Sequence, residues 1–598
     1  MESSIKLADL IGRYFQQRGL KHVFAVAGGA SLHLIHGFKN TKRISVICCH
    51  HEQSCAMAAD AYTRLNHESC VAIATSGPGA TNLITGIAGC YYDSIPTIFL
   101  TGQVSTFRSS SGTKLRQMGF QETPIVKMVE PIVKYAVQIT EANNIVYEIE
   151  KARIIANNGR PGPVLIDIPD NLQRALVKVS ELKKFIPEDN KKNQGDIAEL
   201  RTMLMKLSAA KRPVLIAGWG VHISKTERLV REFIESINVP VALTWGACDL
   251  LEGDHPLRIG TFGTHGLRYA NFAVQNADFI LSLGCKLDTK ATGSPSNSFA
   301  REAWKCVVDV DIEELLKQPR NGLKIDLAIC AELSDFMKLL INELDSLKIE
   351  RKDSDWVGVI NGWKSRYEIR KEAASQKIDG INPYIVMHKL GNVCNKDWNI
   401  FLDTGCTVAW AMQSFNNLTG ARVYHDFNNT AMGWALPAAI GGSLADQSRR
   451  TLCITGEGSL MMNIQELATI KRHDLDIVII IVNNNGYSMI KQTQDQWLNS
   501  EYIASSTEGG IGFPDFGILA KSFEIESVLI ESESELNHIE EIISNKRKSA
   551  LVIDIKISSN WRVSPQVKYG KPNEDPEPLL NREELEKEML IDIYDQKE

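Results

Sequence analysis

The run Ile477-Val-Ile-Ile-Ile-Val482 contains no polar residue and stops on Asn483-Asn484. An unbroken β-branched run of this kind suits a strand buried on both faces, as in a parallel sheet. A second short run, Thr451-Leu-Cys-Ile-Thr455, stops on Gly456-Glu457-Gly458. Between the two, Met461 to His473 carries apolar residues at helical spacing and predicts a helix. The segment reads as strand–helix–strand with two polar loops at the carboxyl ends of its strands, which is where open α/β sheets bind ligands. A carboxylate, an amide oxygen and nearby backbone carbonyls form a hard oxygen set, suited to Mg²⁺ bridging to phosphate groups. Gly-Glu-Gly alone would be an ordinary turn. Asn483-Asn484 at the end of the next strand turns the balance toward a ligand site.

Length and charge set the frame. A chain of 598 residues exceeds one core and predicts about three or four domains. A net charge of −6 with 23% charged residues gives no basic footprint for nucleic acid or an anionic membrane. No apolar run approaches the ~20 residues needed to span a bilayer. Met1 to Leu20 is broken by Lys6, Asp9, Arg13 and Arg18, so it reads as an amphipathic helix rather than a signal peptide. The twelve cysteines show no metal-ligand spacing, which points to reduced thiols and a cytoplasmic protein, and no nucleic-acid or membrane partner is expected.

Strands alternate with helical stretches along most of the chain, predicting an α/β protein of three doubly wound parallel-sheet domains. The first block, 1–176, closes with Gly159-Arg-Pro-Gly-Pro-Val-Leu-Ile-Asp-Ile-Pro169. Residues 177–194 are charged and aperiodic, as a linker is. The second block, 197–347, carries the strands Pro213-Val-Leu-Ile-Ala217 and Phe279-Ile-Leu-Ser-Leu283, and the charged stretch Glu350 to Asp355 follows it. The third block is 381–557. Residues 558–598 form an acidic C-terminal tail, whose helix-like Arg582 to Glu588 predicts a solvated face. The first and third blocks look alike in strand–helix pattern.

Gly-acid-Gly, a helix, an apolar strand and Asn-Asn together resemble the metal and diphosphate motif of thiamine-diphosphate enzymes. The resemblance implies that Glu457, the Asn484 side chain and the backbone of Gly486 hold Mg²⁺. The family nearly always has Asp where this chain has Glu457, and the added methylene must move either the loop or the ion. In the first block, His51-Glu52-Gln53 opens a small-residue helix after Ile44-Ser-Val-Ile-Cys-Cys49. Glycine-bearing loops accompany it: Gly28-Gly29, Gly79 and Asn82 in Ser76 to Asn82, and Gln103 in Thr101-Gly-Gln-Val104. This block is similar to the pyrimidine-binding domain of the acetolactate synthase branch, and the likeness extends over essentially the whole chain.

The likeness implies roles. Glu52 is the catalytic acid that hydrogen-bonds the aminopyrimidine ring. Gly28, Gly29, Gly79, Asn82, Gln103, Thr404, Gly456, Gly458 and Ser459 surround the cofactor. Met432 bends it, and Tyr487 and Met489 lie beside its thiazolium ring. Phe120, Gln121, Lys134, Lys286 and Thr493 line the substrate pocket. The middle block, with Gly218-Trp-Gly220 and Gly284-Cys-Lys-Leu-Asp-Thr-Lys290, is similar to the FAD domain of the branch. There Lys286 and Lys290 stand where the family usually has Arg, a point charge in place of a planar fork. Thr493 stands where the family places a Trp, which predicts a wider acceptor pocket. The implied activity is decarboxylation of a 2-keto acid, pyruvate, and transfer of the two-carbon unit to a second pyruvate or to a keto-sugar. A pyruvate-oxidase type of flavoenzyme and a non-catalytic subunit are the other readings. The family assembles its cofactor site across two chains, so a homodimer or homotetramer is expected.

Overall fold

A computed structural model describes residues 4–66, 68–187, 195–347, 355–416, 418–545 and 549–594. The charged stretch 350–355, apart from Asp355, and the end of the 177–194 linker lie outside the described residues.

Three six-stranded sheets carry the chain, and every strand pair inside them is parallel. In space the first sheet runs Ser45–Cys48, His22–Ala25, Val71–Ala74, Ile98–Gln103, Val164–Pro169, Tyr135–Gln138. The third runs Arg422–Tyr424, Trp398–Leu402, Arg450–Gly456, Ile477–Asn483, Leu551–Lys556, Glu526–Ile530. Numbering each sheet's strands along the chain, both have the order 2-1-3-4-6-5, so the likeness of first and third blocks extends to topology. The central sheet has the order 3-2-1-4-5-6, with Pro213–Ala217 and Phe279–Leu283 at its middle. In each sheet the switch point leaves a crevice at the carboxyl ends of the strands.

The blocks share cores. One hydrophobic cluster joins Val71, Leu100 and Ile166 of the first sheet to Phe401, Trp434 and Ile479 of the third. The seam between them is the helix Glu52–Asn66 against Ala435–Ala445, packed backbone to backbone. A Cβ on Gly441 would lie 2.0 Å from the Ala58 carbonyl oxygen, so only glycine permits this approach. A second cluster joins the central sheet to the other face of the third.

Three expectations change. Leu176–Lys178, the start of the expected linker, pairs antiparallel with Ser4–Lys6 and pins the chain's beginning to the end of the first block. The helix expected over 461–473 is broken into Glu457–Met462, a 3₁₀ turn at Ile464–Glu466 and Leu467–Arg472. Asn463 leaves helical geometry at the break because its amide bridges Ser54 Oγ at 3.0 Å and the Gly433 carbonyl at 2.8 Å. The acidic tail is solvated on one face only, with Arg582, Glu583, Glu586 and Lys587 exposed. Glu574 is 0% exposed and Glu588 is buried, because the central block supplies partners for the first and the helix Trp356–Arg366, with Tyr367 after it, for the second. Arg301 and Gln275 donate to Glu574; Trp363, Tyr367 and Arg366 donate to Glu588.

Candidate functional site

Glu457 ends the strand Arg450–Gly456 and opens a helix, which points its side chain across to the loop after Ile477–Asn483. Its Oε1 accepts from the Gly486 N–H at 2.6 Å. Its Oε2 is buried with no partner among the described residues. Burial raises the carboxyl to about 7, against the lowering effect of the backbone N–H groups around it. A buried acceptor without a donor is a costly arrangement that a cation would satisfy. Asn484 stands two residues before Gly486, its Oδ1 accepting from Ser488 Oγ at 2.8 Å with a lone pair to spare. Asn483 turns the other way, donating to Asp554 Oδ1 at 3.0 Å. Glu457, Asn484 and the Gly486 carbonyl offer hard oxygen atoms on two adjoining loops, the donor type that Mg²⁺ takes. The set holds a single carboxylate. Consistently, no cluster of three or more His, Cys, Asp or Glu that could hold a metal occurs among the described residues.

The walls of this loop pair are close. A Cβ on Gly458 would sit 2.0 Å from the Tyr487 ring, so the tyrosine lies flat against bare backbone. Ser459 is buried beside it, Met489 packs on the core behind, and Met432 is half-buried on the segment that precedes Ala435–Ala445. Gly456 has only Thr407 near its Cβ position.

Asp403, which sequence reasoning missed, organises the floor. Its carboxylate accepts from the N–H groups of Thr404, Gly433 and Ala435 at 3.0, 3.0 and 3.1 Å. Burial brings it up to about 6 even so. The signal was available: Asn399-Ile-Phe-Leu-Asp403 is another apolar strand ending in an acid, the pattern that singled out Glu457.

The first sheet builds a second cluster. Glu52 starts its helix with a largely buried carboxylate, and Asn82 Nδ2 donates to Glu52 Oε2 at 3.0 Å. Gly79 faces the other oxygen: its Cβ would be 3.1 Å from Glu52 Oε1. Gly28 closes against Thr75, 2.4 Å from a hypothetical Cβ, whereas Gly29 faces open space. Gln103 is buried with its amide engaged inward. Nε2 donates to Thr123 O at 2.8 Å and to Asp167 at 2.9 Å, and Oε1 accepts from Val104 N.

The five substrate-pocket residues lie in three places within one chain. Phe120 is 87% exposed, and Gln121, at φ +60°, covers Gly77 in the same loop. Thr493 is on the helix Ser488–Trp497, its Oγ1 bonded back to the Met489 carbonyl at 3.1 Å. Lys134 donates to Asn158 O at 2.5 Å, and burial, then Arg160, lowers it to about 8. Lys286 is also within the field of Arg160 and lines the crevice of the central sheet.

That crevice is a cavity of about 330 Å³ at the central switch point. Its floor is backbone: a Cβ on Gly218 would lie 2.2 Å from Gly284 O, and Gly284 has φ +55°. Arg160, Lys286 and Lys290 supply positive charge, Asp93, Asp288, Asp309, Glu314 and Glu332 negative. Trp219 lines it with a buried indole N–H that has no partner among the described residues. Lys290 Nζ sits 4.8 Å from the centre of the Trp245 ring, and burial and Lys290 lower His265 to about 4.

Three family models match in register with the three sheets: the thiamine pyrophosphate enzyme N-terminal TPP binding domain over 5–128, the central domain over 200–340, and the C-terminal TPP binding domain over 403–555. An acetolactate synthase large subunit of Cyanidium caldarium is 33% identical over 93% of both chains. The chain belongs to the thiamine pyrophosphate enzymes, in the acetolactate synthase large-subunit family. Other relatives include the isozyme 1 large subunit of Escherichia coli, 32% identical over 95% of this chain and 96% of its own. The large subunit of Lactococcus lactis is 29% identical over the same shares. The match to the C-terminal model, 403–555, spans Glu457, Asn484 and Gly486.

Proposed function

We propose that the protein is a thiamine-diphosphate- and Mg²⁺-dependent carboligase that decarboxylates pyruvate and transfers the two-carbon unit to a second pyruvate, forming acetolactate. The observation that carries this reading is the Glu457 oxygen, without a partner among the described residues, beside Asn484 and Gly486, in a member of this family that also keeps Glu52 and Asn82 paired. Mg²⁺ would be held by Glu457, Asn484 and the Gly486 carbonyl, and would anchor the diphosphate. The bound cofactor supplies a nucleophilic carbon and an electron sink for decarboxylation.

The protein's share is positioning and proton control. The Asn82 amide fixes the Glu52 carboxyl from one side, and Gly79 leaves the other oxygen open to a ring nitrogen. Glu52 can then hold a proton at that nitrogen. The Tyr487 ring, Met489 and Met432 shape an apolar wall that excludes water and strengthens each electrostatic contact inside.

FAD is the proposed occupant of the central crevice. A glycine floor at a switch point, cations near it and a free indole N–H support a dinucleotide there. A homodimer or homotetramer is proposed because the Glu52 and Glu457 clusters stand on separate sheets. Apolar side chains also remain exposed near each: Phe107 and Phe120 on one, Trp497 and Ile503 on the other.

Thr493 favours a second reading. It is small, and its hydroxyl is bonded within its own helix; standing where the family places a Trp, it would leave room for a bulkier acceptor such as a keto-sugar. The test is acetolactate formation from pyruvate by protein loaded with thiamine diphosphate, Mg²⁺ and FAD, in air and under nitrogen. Equal formation in both is expected. Pyruvate-dependent oxygen uptake in its place would make the protein an oxidase. Carbon dioxide release without acetolactate would move the assignment to the bulkier acceptor.

A further inference from the structure

On the far side of the third sheet from the catalytic loops, a cavity of about 290 Å³ opens between the central block, the helices Trp356–Arg366 and Ile369–Ala374, and the end of the helix Cys406–Ser414. Its walls hold an unusual excess of cations. Arg258 is fully buried and donates only to neutral acceptors: the carbonyls of Cys248 and Leu251 at 2.9 Å each and of Phe415 at 3.0 Å. Lys364 donates to the Arg258 carbonyl. Neither forms an ion pair among the described residues. Burial lowers both groups, Lys364 to about 8 with the neighbouring Arg258 adding to the effect.

Arg370 stands at the rim, its Nε donating to Glu368 at 2.7 Å and its NH1 near His388 Nε2 at 3.3 Å. Glu368 is the one carboxylate on the wall among the described residues, and Arg370 already engages it. The nearest acid behind Arg258, Asp249, is bound to His222 and Arg422. Three cations therefore face one neutralised acid. Ser414, 2% exposed, lines the cavity with a hydroxyl that has no partner among the described residues. A buried hydroxyl left unpaired beside two uncompensated cations lacks the same thing they lack: an acceptor oxygen carrying negative charge.

We propose that this cavity is a third ligand site, separate from the thiamine and central crevices, which binds a small metabolite through a phosphate or carboxylate group. Lys364 and Arg370 hold the charge, Ser414 donates to one oxygen, and Arg258 supplies the buried field behind it. The site is connected to the catalytic side. The helix Cys406–Ser414 starts directly after Thr404-Gly405 on the diphosphate floor and ends at Ser414, so its nine residues span about 13 Å between the two. An anion at Ser414 thus acts on the helix whose other end positions Thr404.

The inference stands on this cavity and not on the catalytic reading. Its test is calorimetric titration of protein already loaded with thiamine diphosphate, Mg²⁺ and FAD, so that those sites cannot take up the probe. Sodium orthophosphate and sodium succinate are titrated separately against sodium chloride at matched ionic strength. At least one is expected to bind saturably, one per chain, with affinity reduced about 10-fold or more in Lys364→Met and Arg370→Met. Ser414→Ala should weaken it less. Arg370 is exposed, so its variant keeps the test valid if Lys364→Met fails to fold. Binding of phosphate alone assigns a phosphorylated metabolite, and binding of succinate alone a carboxylic acid. No saturable heat from either, or unchanged affinity in Arg370→Met and Ser414→Ala, overturns the proposal.

Discussion

Glu457→Asp is the most informative single change, because two accounts of Glu457 predict opposite outcomes. In the structure the long arm reaches the second loop, where Oε1 sits 2.6 Å from the Gly486 nitrogen. Removing one methylene withdraws the carboxylate by about 1.5 Å, one C–C bond. The contact opens to about 4 Å, past the hydrogen-bond limit. A hydrogen bond to a charged group is worth roughly 1.5–3 kcal/mol, and Mg²⁺ demands ligand distances of about 2.0–2.1 Å. The shortened arm loses the bond and misplaces a metal ligand together, so Mg²⁺ affinity should fall roughly 10- to 100-fold. The assay is activation of the thiamine-diphosphate-saturated protein by Mg²⁺, supported by calorimetric Mg²⁺ titration of both proteins. If the loop had not adapted to Glu457, the Asp variant would instead restore the shorter family ligand. Tighter Mg²⁺ binding with a higher turnover in Glu457→Asp would refute the geometric argument.

Three further outcomes follow from the same contacts. Glu52→Gln keeps the Asn82 contact but loses the exchangeable proton, so turnover should drop on the order of 10²-fold or more while thiamine diphosphate binding, read by calorimetry, changes little; near-normal turnover would remove Glu52 from its role. Arg64 is buried between Asp60 at 2.7 Å and Asp93 at 2.8 Å and also donates to His425 O across the seam. Arg64→Met strands two buried carboxylates and should cost about 3–5 kcal/mol in thermal or denaturant unfolding; an unchanged midpoint would contradict that. His222 ties Glu227 to Asp249 inside the central block. Burial opposes its charged form, but Asp249 and Glu227 outweigh burial and raise it above the usual histidine value. A raised folded value means the link is at full strength below the unfolded value of about 6.5 and weakens as pH rises through the folded one. The melting-temperature difference between the protein and His222→Gln should therefore shrink on going from pH 6 toward alkaline pH, and a difference that grows would reverse the sign of the argument.

What could be read from the sequence was local. Unbroken β-branched runs such as Ile477 to Val482 demand burial on both faces, and that fixes parallel sheets without any knowledge of neighbours. Loops at strand ends carry their chemistry in adjacent residues, which drew attention to Glu457 and Asn484, whereas the role expected of Glu52 came from the family resemblance. Tertiary structure decided everything that depends on a distant partner. Asn463 breaks its helix for Ser54 and Gly433, Asp403 gathers backbone N–H groups from a segment some thirty positions on, and Glu574 is buried by Gln275 and Arg301. An acidic tail and a buried acidic arm have the same composition; only the partner's place in space separates them. The charged cavity shows the same limit. Arg258, Lys364, Arg370 and Ser414 have no common spacing in the chain, and their excess charge exists only because packing brings them to one wall while their usual acidic partners are held elsewhere.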